Sequence, residues 1–91
     1  MQFRWDAVKA AKNARKHGVS FEEAVTVFSD PLARIHDDPG HSVNELREII
    51  IGTTNAGRLV LVSFTERDDV IRIISARHAD HVERQDYEEG T

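Results

Sequence analysis

The feature that most constrains this chain is a set of three closely spaced β-rich runs in its second half. They are "LREIIIGTT" (46–54), "RLVLVSFTE" (58–66) and "VIRIISAR" (70–77). Each is dense in Ile, Val, Leu or Phe, residues that suit a pleated, half-buried surface. Only "NAG" (55–57) separates the first two, and "RDD" (67–69) joins the second to the third. Connections this short have no room for a crossover, so consecutive runs must pair antiparallel. An antiparallel meander is the expected centre of the fold. "ARIHD" (33–37) reads as an edge strand before it, and "DPGHS" (38–42) is turn chemistry.

The first third reads differently. "QFRW" (2–5) predicts a short strand with Phe3 and Trp5 on one side. Asp6 then suits the N-cap of a helix running to Lys16 or His17, with Gly18 just past its end. Ser20 and Glu23 have capping-box spacing, with Val19 and Ala24 as a small hydrophobic staple. Phe21, Ala24, Val25 and Phe28 follow at i, i+3, i+4 and i+7, one buried helix face that "SDP" (29–31) ends. A last helix runs from Asp80 to Glu89, with Glu83 three residues into it and Gly90 as its stop. The order is β-α-α-β-β-β-β-α. It predicts an α+β domain: an antiparallel sheet meander with two N-terminal helices and one C-terminal helix packed on it, on one sheet face. Alternation in "VIRIISAR" is imperfect. Ile71 and Ile73 point one way, while Val70, Arg72, Ile74 and Ala76 point the other.

At 91 residues the chain fits a single domain spanning 1–91. It has no cysteine, which excludes disulfides, zinc–thiolate sites and thiol nucleophiles. The start "MQFRWDAVKA" lacks the apolar stretch of a secretory signal, and no apolar run is long enough to cross a membrane. The expectation is a soluble, cytoplasmic protein with no membrane partner. The net charge of −4 argues weakly against generic nucleic-acid binding. Its distribution says more: the first 20 residues hold five Lys or Arg and one Asp, and the acids follow. A basic segment on an acidic body suits either a local anion-binding face or an ordinary solvated helix.

Three chemistries can be weighed. Metal binding has His78-x-x-His81, and His36 and His41 around Asp37 and Asp38. These sit in different elements and form no strong ligand motif, so no metal or other cofactor is expected. A metal nuclease using His36, Asp37 and His41 would depend wholly on added divalent ion. Serine catalysis has only Ser75, without the G-x-S-x-G elbow. Metal-free phosphate chemistry is better supplied. Cleaving RNA needs a base for the 2′-hydroxyl, an acid for the leaving oxygen and cations for the phosphorane. Arg67, Arg72 and Arg77 offer planar multi-donor forks, and Lys9, Lys12 and Lys16 lie on the first helix. His17, Glu83 and Tyr87 are candidate proton-transfer or hydrogen-bonding groups, the last two sharing a helix face at i, i+4. Each also has an ordinary role. The lysines suit a solvated stripe, His17 a helix C-terminus, Glu83 a capping position and Tyr87 the apolar anchor of its helix.

Taken together, these residues carry a family resemblance. "FRWDAVKAAKNARKHGVSFEEAVTVFSDP", "ELREIIIG", "RLVLVSFTER" and "IRIISARHADHVERQDYEE" resemble, in order, the motifs of BrnT-type toxins. His78 stands where Lys or Arg is common in that family. The resemblance implies a RelE-like fold and a type II toxin–antitoxin toxin that cleaves RNA and blocks translation and growth. It implies a BrnA-like ribbon-helix-helix antitoxin as partner, mRNA as substrate, and contact with operator DNA only through the antitoxin. The expected roles are Arg67 and Arg77 on the scissile phosphate and Glu83 or His17 in proton transfer. Lys9, Lys12, Arg72 and Tyr87 would bind the RNA. The alternative is a non-catalytic binding module that only assembles a toxin–antitoxin repressor complex.

Overall fold

The three β-rich runs form the centre of a five-stranded sheet in the computed structural model, which describes residues 1–38 and 46–90. The elements are β1 (Gln2–Arg4), α1 (Ala7–His17), α2 (Phe21–Val25) passing into a 3₁₀ turn (Thr26–Ser29), β2 (Arg34–Asp37), β3 (Glu48–Thr53), β4 (Leu59–Arg67), β5 (Val70–His78) and α3 (His81–Glu89). Strand order is β1-β5-β4-β3-β2. The four strands from β2 to β5 pair antiparallel, as the short β3–β4 and β4–β5 connections require of the last three. Of "DPGHS", only Asp38 lies within the described residues.

The sheet is nonetheless mixed, which corrects the expectation of a purely antiparallel meander. β1 pairs parallel to β5, with Phe3 opposite Ile71. No tight turn links these two strands, so no local signal fixes their direction. The helices also lie on both faces. The inner face carries Ile50, Val60, Val62, Phe64, Ile71, Ile73 and Ala76, covered by Val19, Phe21, Ala24 and Val27 from α2 and its flanks. On the outer face α3 meets the sheet near β3, where Tyr87 approaches Thr53.

Local chemistry explains the joints. Asp6 caps α1, accepting from the N–H groups of Val8 (2.8 Å) and Lys9 (3.1 Å), and Gly18 closes it at φ 71°. Asp68 and Asp69 both have positive φ, 52° and 68°, which gives the β4–β5 hairpin the twist of a primed turn. At the start of α2 only half of the capping box forms. Ser20 accepts from the Glu23 N–H, but the Glu23 carboxylate turns to Arg58 and to the Thr54 hydroxyl. There it ties α2 to the β3–β4 hairpin.

A β-bulge settles the broken alternation of β5. Ser75 pairs with Ser63 and Ile73 with Phe64, so Ile74 is the extra residue. The bulge resets the register, and Ala76 joins Ile71 and Ile73 in the core instead of facing away from them. β1 ends at the level of Arg72, leaving the later edge of β5 without a strand neighbour. Asn13 of α1 fills that position. Its amide accepts from the Ala76 N–H (3.1 Å) and donates to the Ala76 (2.8 Å) and Val19 (3.0 Å) carbonyls.

Candidate active site

The bulge and the α3 cap together build a cationic corner where β5 ends. Resetting the register places Arg77 on the outer face, opposite Leu61. Asp80 then caps α3, and here the box is complete: Asp80 accepts from the Glu83 N–H, and Glu83 accepts from the Asp80 N–H, both at 2.8 Å. The same Glu83 carboxylate faces Arg77 in a two-point pair, Nη1 to Oε1 at 2.8 Å and Nη2 to Oε2 at 2.7 Å. Hydrogen bonding from Arg77 holds the Glu83 carboxyl below its ordinary range against partial burial, and Glu83 raises Arg77 in return. Both are therefore charged at neutral pH.

This pairing does not exhaust the guanidinium. Arg77 Nη1 also donates to the His78 carbonyl at 3.2 Å. Of the five donors of an arginine, the Nε–H and one Nη2–H have no protein partner among the described residues. These two form a fork of the width that grips two oxygens of a phosphate. Glu83 thus fixes the plane of Arg77 and leaves one edge open.

Beside it runs a groove of about 330 Å³ between α1 and the bulged edge of β5, lined by Lys9, Lys12, Lys16, His17, Ile74 and Ser75. The lysines share one helix side at i, i+3 and i+7. Asn13 holds that helix beside Ala76, adjacent to Arg77 in the chain. The structure thereby brings Lys9, Lys12 and His17 to the strand that carries Arg77.

The other expected site residues are placed elsewhere. Arg67 pairs with Val70 at the start of β5, seven residues from Arg77. At the rise of a strand that is about 20 Å. The structure thus sets Arg67 and Arg77 at opposite ends of the β4–β5 hairpin and not side by side. Arg72 lies near Arg67's end, opposite Thr65. Tyr87 shares a helix side with Glu83, but its hydroxyl donates to Asp30 Oδ2 at 2.6 Å. Asp30 also accepts from the Thr53 N–H (2.7 Å) and the Leu32 N–H (2.9 Å). Burial opposes ionisation of Asp30, yet these bonds outweigh it and hold the carboxyl below its ordinary range. Gly52 faces this cluster: a side chain there would press on Val27, Asp30 and Ala33. Asn13 and Asp30, which position α1 and α3, carry no local sequence signal because their partners are 63 and 57 residues away. His36 and Asp37 lie exposed on β2, and His41 falls outside the described residues. Among the described residues no three metal-ligating side chains converge, and no helix is long and apolar enough to cross a membrane.

A family model described as the ribonuclease toxin BrnT of type II toxin–antitoxin systems matches residues 5–83, and the chain belongs to that family. The crystal structure of the Brucella abortus ribonuclease toxin BrnT is similar at 25% identity and a TM-score of 0.67, over 89% of this chain and 99% of that one. No match is found among curated protein sequences.

Proposed function

We propose that the chain cleaves RNA without a metal ion, at the Arg77 corner, and so inhibits translation and growth. The open Nε/Nη2 edge of Arg77 carries this reading. A scissile phosphate seated there meets a preoriented cation whose plane Glu83 already fixes, so no reorganisation is needed as charge builds on the phosphorane. Glu83 is ionised at neutral pH and can accept a proton but not give one. Protonation of the leaving 5′-oxygen is assigned to His17, which lines the groove at the end of α1, while Glu83 positions Arg77 and is available as base. Lys9 and Lys12 guide the RNA backbone along α1. Tyr87 acts through α3, since its hydroxyl is committed to Asp30. A BrnA-like ribbon-helix-helix antitoxin would neutralise the toxin in the cytoplasm and carry the complex to operator DNA.

The test is cleavage of RNA by purified protein in excess chelator. Cleavage persists, and Arg77→Ala lowers kcat/KM by about 10²-fold or more, the scale of a lost transition-state donor. Loss of cleavage on chelation, or an Arg77→Ala variant as active as the parent, rejects the mechanism. Expression alone should arrest growth, and a co-expressed antitoxin should restore it. A protein that binds antitoxin tightly but never cleaves RNA is the binding module instead.

A further inference from the structure

The far end of the outer face holds three arginines that this mechanism leaves unused. In the parallel register Arg4 of β1 lies directly beside Arg72 of β5, and Arg72 lies opposite Thr65 of β4. Arg67 is two residues beyond Thr65 and so shares its face. All three arginines are exposed. Neighbouring strands are about 4.8 Å apart, so the three long side chains converge readily over one small anion.

Like charges on paired strand positions are unfavourable and need a reason to persist. None of the three forms an ion pair among the described residues. The acids nearby are committed or turned away. The Asp6 carboxyl is held low first by the Lys9 and Val8 N–H groups it caps, and only last by Arg72. Asp68 and Asp69 form the left-handed turn. Glu66 pairs with Ile71, on the inner side of the sheet.

Between this cluster and Arg77 the outer side of β4 and β5 carries the half-buried cross-strand pair Ser63–Ser75, with the bulged Ile74 beside it and Thr65 buried beneath the arginines. A protein partner seated on a sheet centre would favour an apolar floor. Arginines at both ends with the Ser63–Ser75 pair between them match a sugar–phosphate backbone better.

We propose that Arg4, Arg67 and Arg72 form a second phosphate-binding subsite, which holds the RNA several nucleotides from the scissile phosphate and lays the strand along β5. This rests on the ribonuclease reading of the Arg77 corner. The subsite contributes affinity and orientation, not bond cleavage, so its three arginines are positioning residues.

Binding is measured with a labelled 2′-O-methyl oligoribonucleotide, which lacks the attacking hydroxyl, over a series of salt concentrations. Arg4→Gln combined with Arg72→Gln weakens binding and reduces the slope of log K against log salt by about 0.7, one phosphate contact on a single strand. Arg4→Lys keeps the slope. All are exposed substitutions, and an unchanged melting temperature shows that the fold is retained. For cleavable RNA the double variant raises KM far more than it lowers kcat. Unchanged affinity, slope and KM in a protein that cleaves RNA removes the second subsite and leaves the Arg77 mechanism standing. A parent protein that neither binds nor cleaves RNA overturns both. A double variant that keeps its RNA affinity but loses its antitoxin assigns the cluster to the protein partner and overturns this inference.

Discussion

The two faces of the sheet are attached to their helices by different physics. On the inner face Val19, Phe21, Ala24, Val27, Val60, Val62 and Ala76 are wholly buried, and Phe28 stacks against both Phe3 and Phe64 with ring centroids 5.1 Å apart. On the outer face α3 buries no residue fully. Its own side chains make polar ties, Arg77–Glu83 and Tyr87–Asp30, joined by Arg34 of β2, whose guanidinium lies where a Gly90 side chain would sit. They lie above an outer face on which only Ile51 and Leu59 are buried apolar residues among the described residues. α3 has no basic residue in its last turn, so Arg34 supplies the cation that suits its carbonyl end. Burying one large apolar side chain contributes roughly 1.5–3 kcal/mol. A half-exposed ion pair contributes about 0–1 kcal/mol. The inner face therefore holds the fold together, and the outer face sets out charged groups at little cost in stability.

The comparison is broken most directly at its heavy side. Phe64→Ala should cost about 3–5 kcal/mol in denaturant unfolding, because a rigid aromatic core cannot collapse around the void. Glu83→Gln, at the heart of the outer face, should cost less than about 1 kcal/mol by the same measurement. Equal costs would show that α3 belongs to the core. Asn13→Ala tests the joint between the two regimes. It strips partners from the Ala76 N–H and from two buried carbonyls, and should cost roughly 2–4 kcal/mol. Loss of protection of the Ala76 amide in hydrogen exchange would locate the damage; unchanged exchange there would show that water replaces the side chain.

The same division explains what the sequence made legible. Tight turns, caps and apolar spacing are local, and they placed nearly every strand and helix within a residue or two. Asp6, Gly18 and Asp80 mark helix ends as their types suggest, and Gly90 ends α3 without the left-handed turn that glycine favours. Contacts closed over long separations were not legible. The parallel pairing of β1 with β5, the plugging of the β5 edge by Asn13 and the capture of Tyr87 by Asp30 each join distant segments. The Ile74 bulge hid in plain view: "VIRIISAR" looked two-faced because one extra residue shifts its parity. That shift also decides which arginines share a surface. Arg67 in the "RDD" turn and Arg77 at the far end of "VIRIISAR" were already set apart by the hairpin reading, but which face each shares was not legible. Motif resemblance placed the family, and register had to place the charges.

A comparably small effect isolates one bond of the outer face. Tyr87→Phe removes only the hydroxyl and should cost about 1 kcal/mol, with the inner core untouched. The bond can also be followed by titration, since this is the chain's one tyrosine. The hydrogen bond to Asp30 raises the Tyr87 pKa above 10.0, with the Thr53 hydroxyl opposing and burial adding to it. A group whose folded pKa is raised stabilises the fold fully below its unfolded value and loses that contribution as pH climbs through the folded one. Asp30, held low, loses its own share only as pH falls below the ordinary carboxylate range. The link should therefore be intact from mildly acid to mildly alkaline pH and fail first at the alkaline end through Tyr87. Tyrosinate absorbance should rise with a midpoint above 10.0, and Asp30→Asn should bring it down because the charged acceptor is gone. A parent midpoint at or below the ordinary value would mean that α3 is held without Asp30, and the polar clamp on the outer face would then reduce to Arg77, Glu83 and Arg34.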